Sequence, residues 1–235
     1  MEMKDNISFC ITTYSRFEFT VECVSGIINH PSISEIVISD DYSTDGSYEK
    51  LCYYFSGNQK VKIFRNASNK DCYVNKKIAI ELSTNKQCII ADSDNKFGWD
   101  YVDKILEQKE WNDDMIYMPS FARESFDYRH FTNLTIDKSN VAQYMDAHLF
   151  QTMLNTFNFF VNREKFLQVW DGAINPVTFD SIYFCYCWLN AGKKLKVVDG
   201  LEYQHRVHSL SHYQTNRHLS GDMLHQIESK LKSLR

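Results

Sequence analysis

Two carboxylates spaced i, i+2 close an apolar run in Cys88-Ile89-Ile90-Ala91-Asp92-Ser93-Asp94-Asn95. Alternate residues of an extended chain share a side, so Asp92 and Asp94 face the same way where a buried strand ends. Such a pair suits a divalent cation, and hard cations take oxygen ligands, which phosphates also supply. A strand that empties two acids into its C-terminal loop is thus placed to hold a metal and, through it, a diphosphate. Asp-x-Asp alone is common in surface loops, so its weight depends on the elements around it.

Those elements alternate. Ile7 to Thr12 reads as a strand, followed by a helix with Phe17, Val21, Val24 and Ile28 on one face and Pro31 beyond its end. Ile36-Val37-Ile38 is the next strand, and Ser39-Asp40-Asp41-Tyr42-Ser43-Thr44-Asp45-Gly46 supplies caps for a helix over 45–56. Val61 to Phe64 is a third strand. A helix over 71–83 shows Val74, Ile78 and Leu82 at helical spacing, and Gln87 to Ala91 is the fourth strand. Four such alternations predict an α/β fold, a mostly parallel Rossmann-like sheet flanked by helices. Ligands of such sheets sit at the carboxyl ends of the strands. The loops holding Thr12, Thr13 and Tyr14, then Asp40 and Asp41, then Asp92 and Asp94 are therefore expected to meet in one cleft.

Past residue 98 the pattern loosens. Trp99 to Glu110 reads as a helix and Met115 to Met118 as a strand, while 120–160 is polar and aromatic without a clear period. Phe157-Asn158-Phe159-Phe160 is expected to be a core strand. Arg163 to Trp170 and Asp180 to Ala191 read as helices, the second with Ile182, Cys185, Tyr186 and Leu189 on a face and Gly192 as a stop. Lys194 to Val198 is a strand, followed by His205-Arg206-Val207-His208-Ser209 and a charged, helical tail. His212, His218 and His225 of that tail read as surface, and Cys185-Tyr186-Cys187-Trp188 as a packed helix face.

Composition narrows the classes. The 235 residues are 43% hydrophobic and 24% charged, enough for one ample core. The net charge of −4 argues against a nucleic-acid partner. No apolar run reaches the roughly 20 residues of a membrane span, and the N-terminus lacks a cationic, apolar leader. Seven cysteines without a Cys-x-x-Cys pair point to free buried thiols in a reducing cytoplasm rather than to a disulfide framework or a zinc site. No glycine-rich phosphate loop occurs, so a leaving diphosphate would have to be stabilised by a metal acting as Lewis acid. The glycine-free Ile11-Thr12-Thr13-Tyr14 also excludes a sugar-nucleotide pyrophosphorylase.

These segments together resemble the family 2 glycosyltransferases, inverting enzymes of the GT-A fold. Ile-Thr-Thr-Tyr-Ser-Arg (11–16) is similar to the family's opening Thr-x-Tyr-Asn-Arg, and Ile-Ser-Asp-Asp-Tyr-Ser-Thr-Asp-Gly-Ser (38–47) to its Val-Asp-Asp-x-Ser-x-Asp-Gly-Ser. Asn66 and Asn75 stand where the family keeps Asn-x-Gly and Ala-Arg-Asn, and Ala-Asp-Ser-Asp-Asn (91–95) looks like its DXD motif. The likeness is strong over 5–115 and thinner beyond. It implies a single GT-A domain over 1–235, with 1–115 as the nucleotide-sugar half and 116–235 as the acceptor half and C-terminal helix.

The resemblance also implies roles. Tyr14, beside Thr12, would lie against the nucleobase, and Asp41 or Asp40 would bond the base or ribose. Asn75 and Ser93 would join the nucleotide-sugar contacts. Asp92 would reach the ribose or metal, and Asp94 the metal itself. The family's usual arginine is absent near 75, where Val74 precedes Asn75, so Lys76 or Lys77 would take the diphosphate. His208 or His205 would return to the metal, and carboxylates with an imidazole suit Mn2+ or Mg2+ better than Zn2+. Asp180, before the helix ending in Ala191-Gly192, is the expected catalytic base, with Asp171 second; an aspartate there could also simply cap the helix. The implied donor is a nucleotide sugar, UDP-linked, and the acceptor a glycan or lipid-linked saccharide of surface polysaccharide assembly, handled in the cytoplasm at the inner membrane face. A retaining transferase on the same fold and an inactive nucleotide-sugar binder are the alternatives.

Overall fold

A computed structural model describes residues 6–208 and 211–235. Residues 1–5, on which the reading of the N-terminus falls, and Ser209 lie outside the described residues. Strand β1 (Ile7–Thr13) leads to α1 (Phe17–Ser25), β2 (Ile33–Asp40), α2 (Ser47–Tyr54), β3 (Val61–Arg65), α3 (Asp71–Leu82) and β4 (Gln87–Asp92). Then come α4 (Trp99–Leu106), β5 (Met115–Arg123), β6 (Phe126–Asp127), β7 (Thr135–Ile136), α5 (Val141–Tyr144), α6 (Phe150–Leu154) and β8 (Phe159–Asn162). The chain closes through α7 (Arg163–Val169), α8 (Asp180–Asn190), β9 (Lys194–Gln204), α9 (His212–Asn216) and α10 (Met223–Lys232).

All the strands join one sheet in the order β3-β2-β1-β4-β8-β5-β9-β7, with β6 added to β5. β3, β2, β1 and β4 run parallel, as the sequence predicts. Every residue of β1 is buried because helices cover both faces of a parallel sheet, which is why Ile7–Thr13 reads as a run without alternation. The second half departs from this pattern. β8 inserts antiparallel between β4 and β5, while β5 and β9 pair in parallel along most of their length. That long pairing carries both strands well past their apolar segments, to Arg123 and Gln204, and delivers the chain to residue 205 beside the end of β4.

Two helices turn differently from their apolar periods. α1 buries Thr20, Cys23 and Val24, and Phe17, Val21 and Ile28 are only partly covered. α3 buries Tyr73, Asn75, Lys76, Ala79 and Ile80, leaving Val74 among the exposed residues. α8 is buried nearly all round, as its Cys185–Trp188 stretch predicts. Gly26, after α1, lets the helix end close on the loop beyond β4: a Cβ there would fall 1.9 Å from the Phe97 carbonyl oxygen. This brings α1 and its charged face up to the β4 loop. Among the described residues no helix is long and apolar enough to cross a membrane.

Candidate active site

Asp94 sits where the β4 loop, α1 and the segment after β9 converge. Its Oδ2 accepts hydrogen bonds from Arg16 Nη1 at 2.8 Å and from His208 Nε2 at 3.0 Å. Burial alone would push this carboxyl up, but the His208 bond and the positive charge of Arg16 and His205 outweigh it and hold it below the usual carboxylate range. His208 packs edge-on against Phe19, with ring centroids 5.0 Å apart. Arg206 covers the same ring and pairs with Glu22, which also holds Lys96 at 2.9 Å. The Arg206 amide donates to Asn95 Oδ1. A clasp centred on Glu22 of α1 thus fixes the late segment over the acid pair.

His205 lies deeper. Burial lowers its pKa against the pull of Asp94 and Asp92, and its Nδ1 is buried without a hydrogen-bond partner among the described residues. It lines, with Lys96, Glu124 and Arg206, a hollow of about 340 Å³ that none of Asp92, Asp94 and Asp180 borders.

The second cluster centres on Lys76. Its Nζ lies 3.0 Å from Asp92 Oδ1 and 2.8 Å from Asp180 Oδ2, over the ring of Phe157 at 4.8 Å. Burial disfavours a charged lysine, yet Asp180 and Asp92 together hold it as the ammonium and raise its pKa well above the ordinary value. Asp180 opens α8, and its other oxygen accepts from the Ser181 amide at 3.0 Å, so it stabilises the helix start and faces Lys76 at once. The Asp92 amide donates to Asn158 Oδ1. Lys77 points outward and pairs with Glu81, whereas Lys76 is the lysine buried between Asp92 and Asp180. Asp171 is tied to the Tyr183 hydroxyl and the Ala173 amide, and it pairs with no member of the Lys76 cluster.

The acids of the β2 loop are occupied otherwise. Asp40 is fully buried and accepts from the amide and hydroxyl of Ser43, with Arg65 Nε 3.9 Å away. Asp41 accepts from Asn66 Nδ2 and the Lys70 amide, both at 2.8 Å, and burial raises its pKa. Asn75 is bonded to Ser39 through both ends of its amide and also takes a bond from Asn66, tying α3 to the end of β2. Thr12 pairs across β1 and β4 with Asp92, and Tyr14 stands 48% exposed at the mouth. Ser93 is wholly buried, its hydroxyl without a partner among the described residues.

The fold therefore brings Asp92, Asp94, Lys76, Asp180, His205 and His208 into one region and gives Asp40, Asp41 and Asn75 bonding roles in the loops beside it. Sequence reasoning gave no role to Arg16, Asn158 or Glu22. Asn158 could have been flagged as the single polar residue inside an aromatic run, since a buried polar group needs a partner. Arg16 stands inside the opening motif, and only the turn at Ser15, with φ of 53°, directs it toward Asp94.

Comparison with known proteins bears on the family and the fold. The chain is 34% identical over 98 residues to the abequosyltransferase RfbV of Salmonella typhimurium, an alignment covering 40% of this chain and 29% of that protein. The chain thus matches under a third of that relative's length. Among solved structures, S. aureus TarS 1-349 in complex with UDP-GlcNAc superposes with a TM-score of 0.74 at 11% identity, covering 97% of this chain and 67% of that one. The same TarS fragment in complex with UDP gives 0.63 at 12% identity, covering 94% and 65%. At such identities the likeness shows the fold, and the fold is GT-A. The profile of Glycosyl transferase family 2 matches residues 8–171, well over half of the sequence, and the chain belongs to that family.

Proposed function

We propose that this chain is a metal-dependent, inverting glycosyltransferase that moves a sugar from a UDP-linked donor to a hydroxyl of a glycan or lipid-linked acceptor. One observation carries the reading: Lys76 joins Asp92, at the end of the donor-side strand, to Asp180, at the start of the helix across the cleft. The UDP-GlcNAc bound to the TarS neighbour supports the choice of donor class. The acceptor side falls to the segments after β5, and assembly of a surface polysaccharide at the inner membrane face is the setting the family relation favours.

The donor set fits Mn2+ or Mg2+. Asp94 Oδ2 and His208 Nε2, joined here by a 3.0 Å hydrogen bond, are a carboxylate oxygen and an imidazole nitrogen of the kind such an ion takes. Asp94 and His208 would hold the ion, with Asp92 and His205 beside them. Such an ion supplies Lewis-acid stabilisation of the leaving diphosphate. Arg16 and Lys76 contribute fixed positive charge to the same phosphates. Asp180 accepts the proton of the acceptor hydroxyl, whose oxygen attacks the anomeric carbon from the face opposite the diphosphate. The bond from that carbon to the phosphate oxygen breaks, and the nucleoside diphosphate departs with the electron pair. Tyr14 covers the base.

Asp180→Asn is expected to bind donor normally and to transfer about 10²- to 10⁴-fold more slowly. Asp94→Ala is expected to lose the Mn2+-dependent part of donor binding, read by calorimetry. Normal turnover by Asp180→Asn would remove it as the base, and retention of anomeric configuration in the product, read by NMR, would rule out inversion.

A further inference from the structure

We propose that Asp71, Cys72 and His212 form a second metal site, for a borderline-soft divalent cation of the zinc class, that fastens α9 to the first turn of α3. One ligand atom from each residue lies within 4.8 Å of the other two. His212 Nε2 is 3.7 Å from Asp71 Oδ1. Both Cys72 Sγ, at 3.5 Å, and His212 Nε2, at 3.3 Å, rest on the carbonyl oxygen of Val177. The remaining oxygen of Asp71 accepts from Asn175 Nδ2 at 2.8 Å. Two segments distant in sequence, Asp71-Cys72 and His212, thus bring a carboxylate, a thiol and an imidazole together beside the carbonyl of a third. His212 is about one-third exposed, not the bare surface residue its tail position suggests.

A tetrahedral ion with bonds of about 2.0–2.3 Å needs its ligand atoms about 3.3–3.8 Å apart. No separation here exceeds 4.8 Å, so at most about 1 Å must be closed, within reach of small side-chain rotations. A water or the Val177 carbonyl completes four ligands. Thiolate and imidazole select zinc-class ions over Mg2+, whereas Asp94 and His208 offer a harder set. Asp71 and Val177, on either side of the cluster, are both held at positive φ, 72° and 54°, which a β-branched residue rarely adopts.

The location gives the site its effect. Cys72 and Lys76 are i, i+4 on α3 and so lie along one face. The loop through Val177 runs directly into Asp180, and His212 follows closely on the segment bearing His208. An ion at this point would brace the turn carrying Lys76 and pin the strap that reaches Asp94. The metal site is independent of the glycosyl-transfer reading and stands or falls by binding alone.

The test uses the full chain, stripped by a chelator and titrated with Co2+, then Zn2+. The expected result is a thiolate-to-cobalt charge-transfer band bleached by one equivalent of Zn2+. Cys72→Ser should abolish the band, His212→Ala should weaken Co2+ binding by about tenfold or more, and Asp94→Ala should leave the band intact. Asn216 Nδ2 lies 3.2 Å from His212 Nδ1, so Asn216→Asp, which supplies an acceptor for the ring proton, should tighten binding. Zn2+ should also slow tryptic cleavage within 205–222 in the parent chain and not in His212→Ala. Absence of the band in the parent chain, its survival in Cys72→Ser or its loss in Asp94→Ala would each overturn the proposal.

Discussion

Two aspartate pairs end neighbouring regions of the same parallel sheet, Asp40-Asp41 after β2 and Asp92-x-Asp94 after β4. As sequence they make similar signals, acids spilling from apolar strands. Their surroundings separate them. The first pair is satisfied by neutral donors, the Ser43 amide and hydroxyl, the Asn66 side chain and the Lys70 amide, with only Arg65 as a more distant cation. The second meets cations directly, Lys76 on Asp92 and Arg16 with His208 on Asp94. Neutral bonds hold the first loop closed, with both bonds to Asp41 on its Oδ1. Cationic partners can exchange a carboxylate for a phosphate, which is what the proposed donor reading asks of the β4 pair.

The largest break in this contrast should come from Lys76→Met. It leaves Asp92 and Asp180 facing each other without the ammonium, a loss of about 3 kcal/mol in urea unfolding, with transfer abolished. Adding Asp180→Asn to Lys76→Met should recover most of the stability and none of the activity. Next is Asp40→Ala, which strands the Ser43 donors in a buried turn and should cost about 1–3 kcal/mol while donor affinity of the folded fraction stays unchanged. A loss of donor binding in that variant without loss of stability would erase the distinction between the pairs.

A subtler effect concerns pH. Burial raises the pKa of Asp41, so its ionisation opposes folding above the unfolded carboxyl value of about 3.9 and ceases to do so below it. Asn at 41 retains the oxygen that serves Asn66 and Lys70. Asp41→Asn should therefore gain on the parent chain as pH rises from about 4 to 7, seen as a growing difference in urea midpoint. The smallest change in stability belongs to Tyr14→Ala at the exposed mouth, within about 0.5 kcal/mol. Its effect should appear instead in nucleotide affinity, by about 1–3 kcal/mol if the ring stacks on the base.

The alternation of strands and helices over the first half was legible because each element there follows its own local pattern. The acid pair after β4 was legible for the same reason. α3 was legible as a helix and misleading as a face: its apolar period selects Val74, Ile78 and Leu82, whereas its buried side includes Asn75 and Lys76. A hydrophobic pattern cannot announce a polar residue buried because a distant partner, here Asp180 or Ser39, satisfies it. The antiparallel insertion of β8 was equally hidden, since Phe159–Asn162 is apolar enough for any central position and names no neighbour. His212 reads as surface because its companions lie about one hundred and forty positions earlier in the chain and only tertiary packing assembles them.

The clasp at Glu22 has a consequence for the order of folding. Arg206, which it grips, is 184 positions downstream. Contacts of such span are slow to form, because a long loop must close before anything is gained. His208 therefore meets Asp94 only once the sheet that carries both segments has assembled, so the loops of the parallel half are in place before the late segment closes over them.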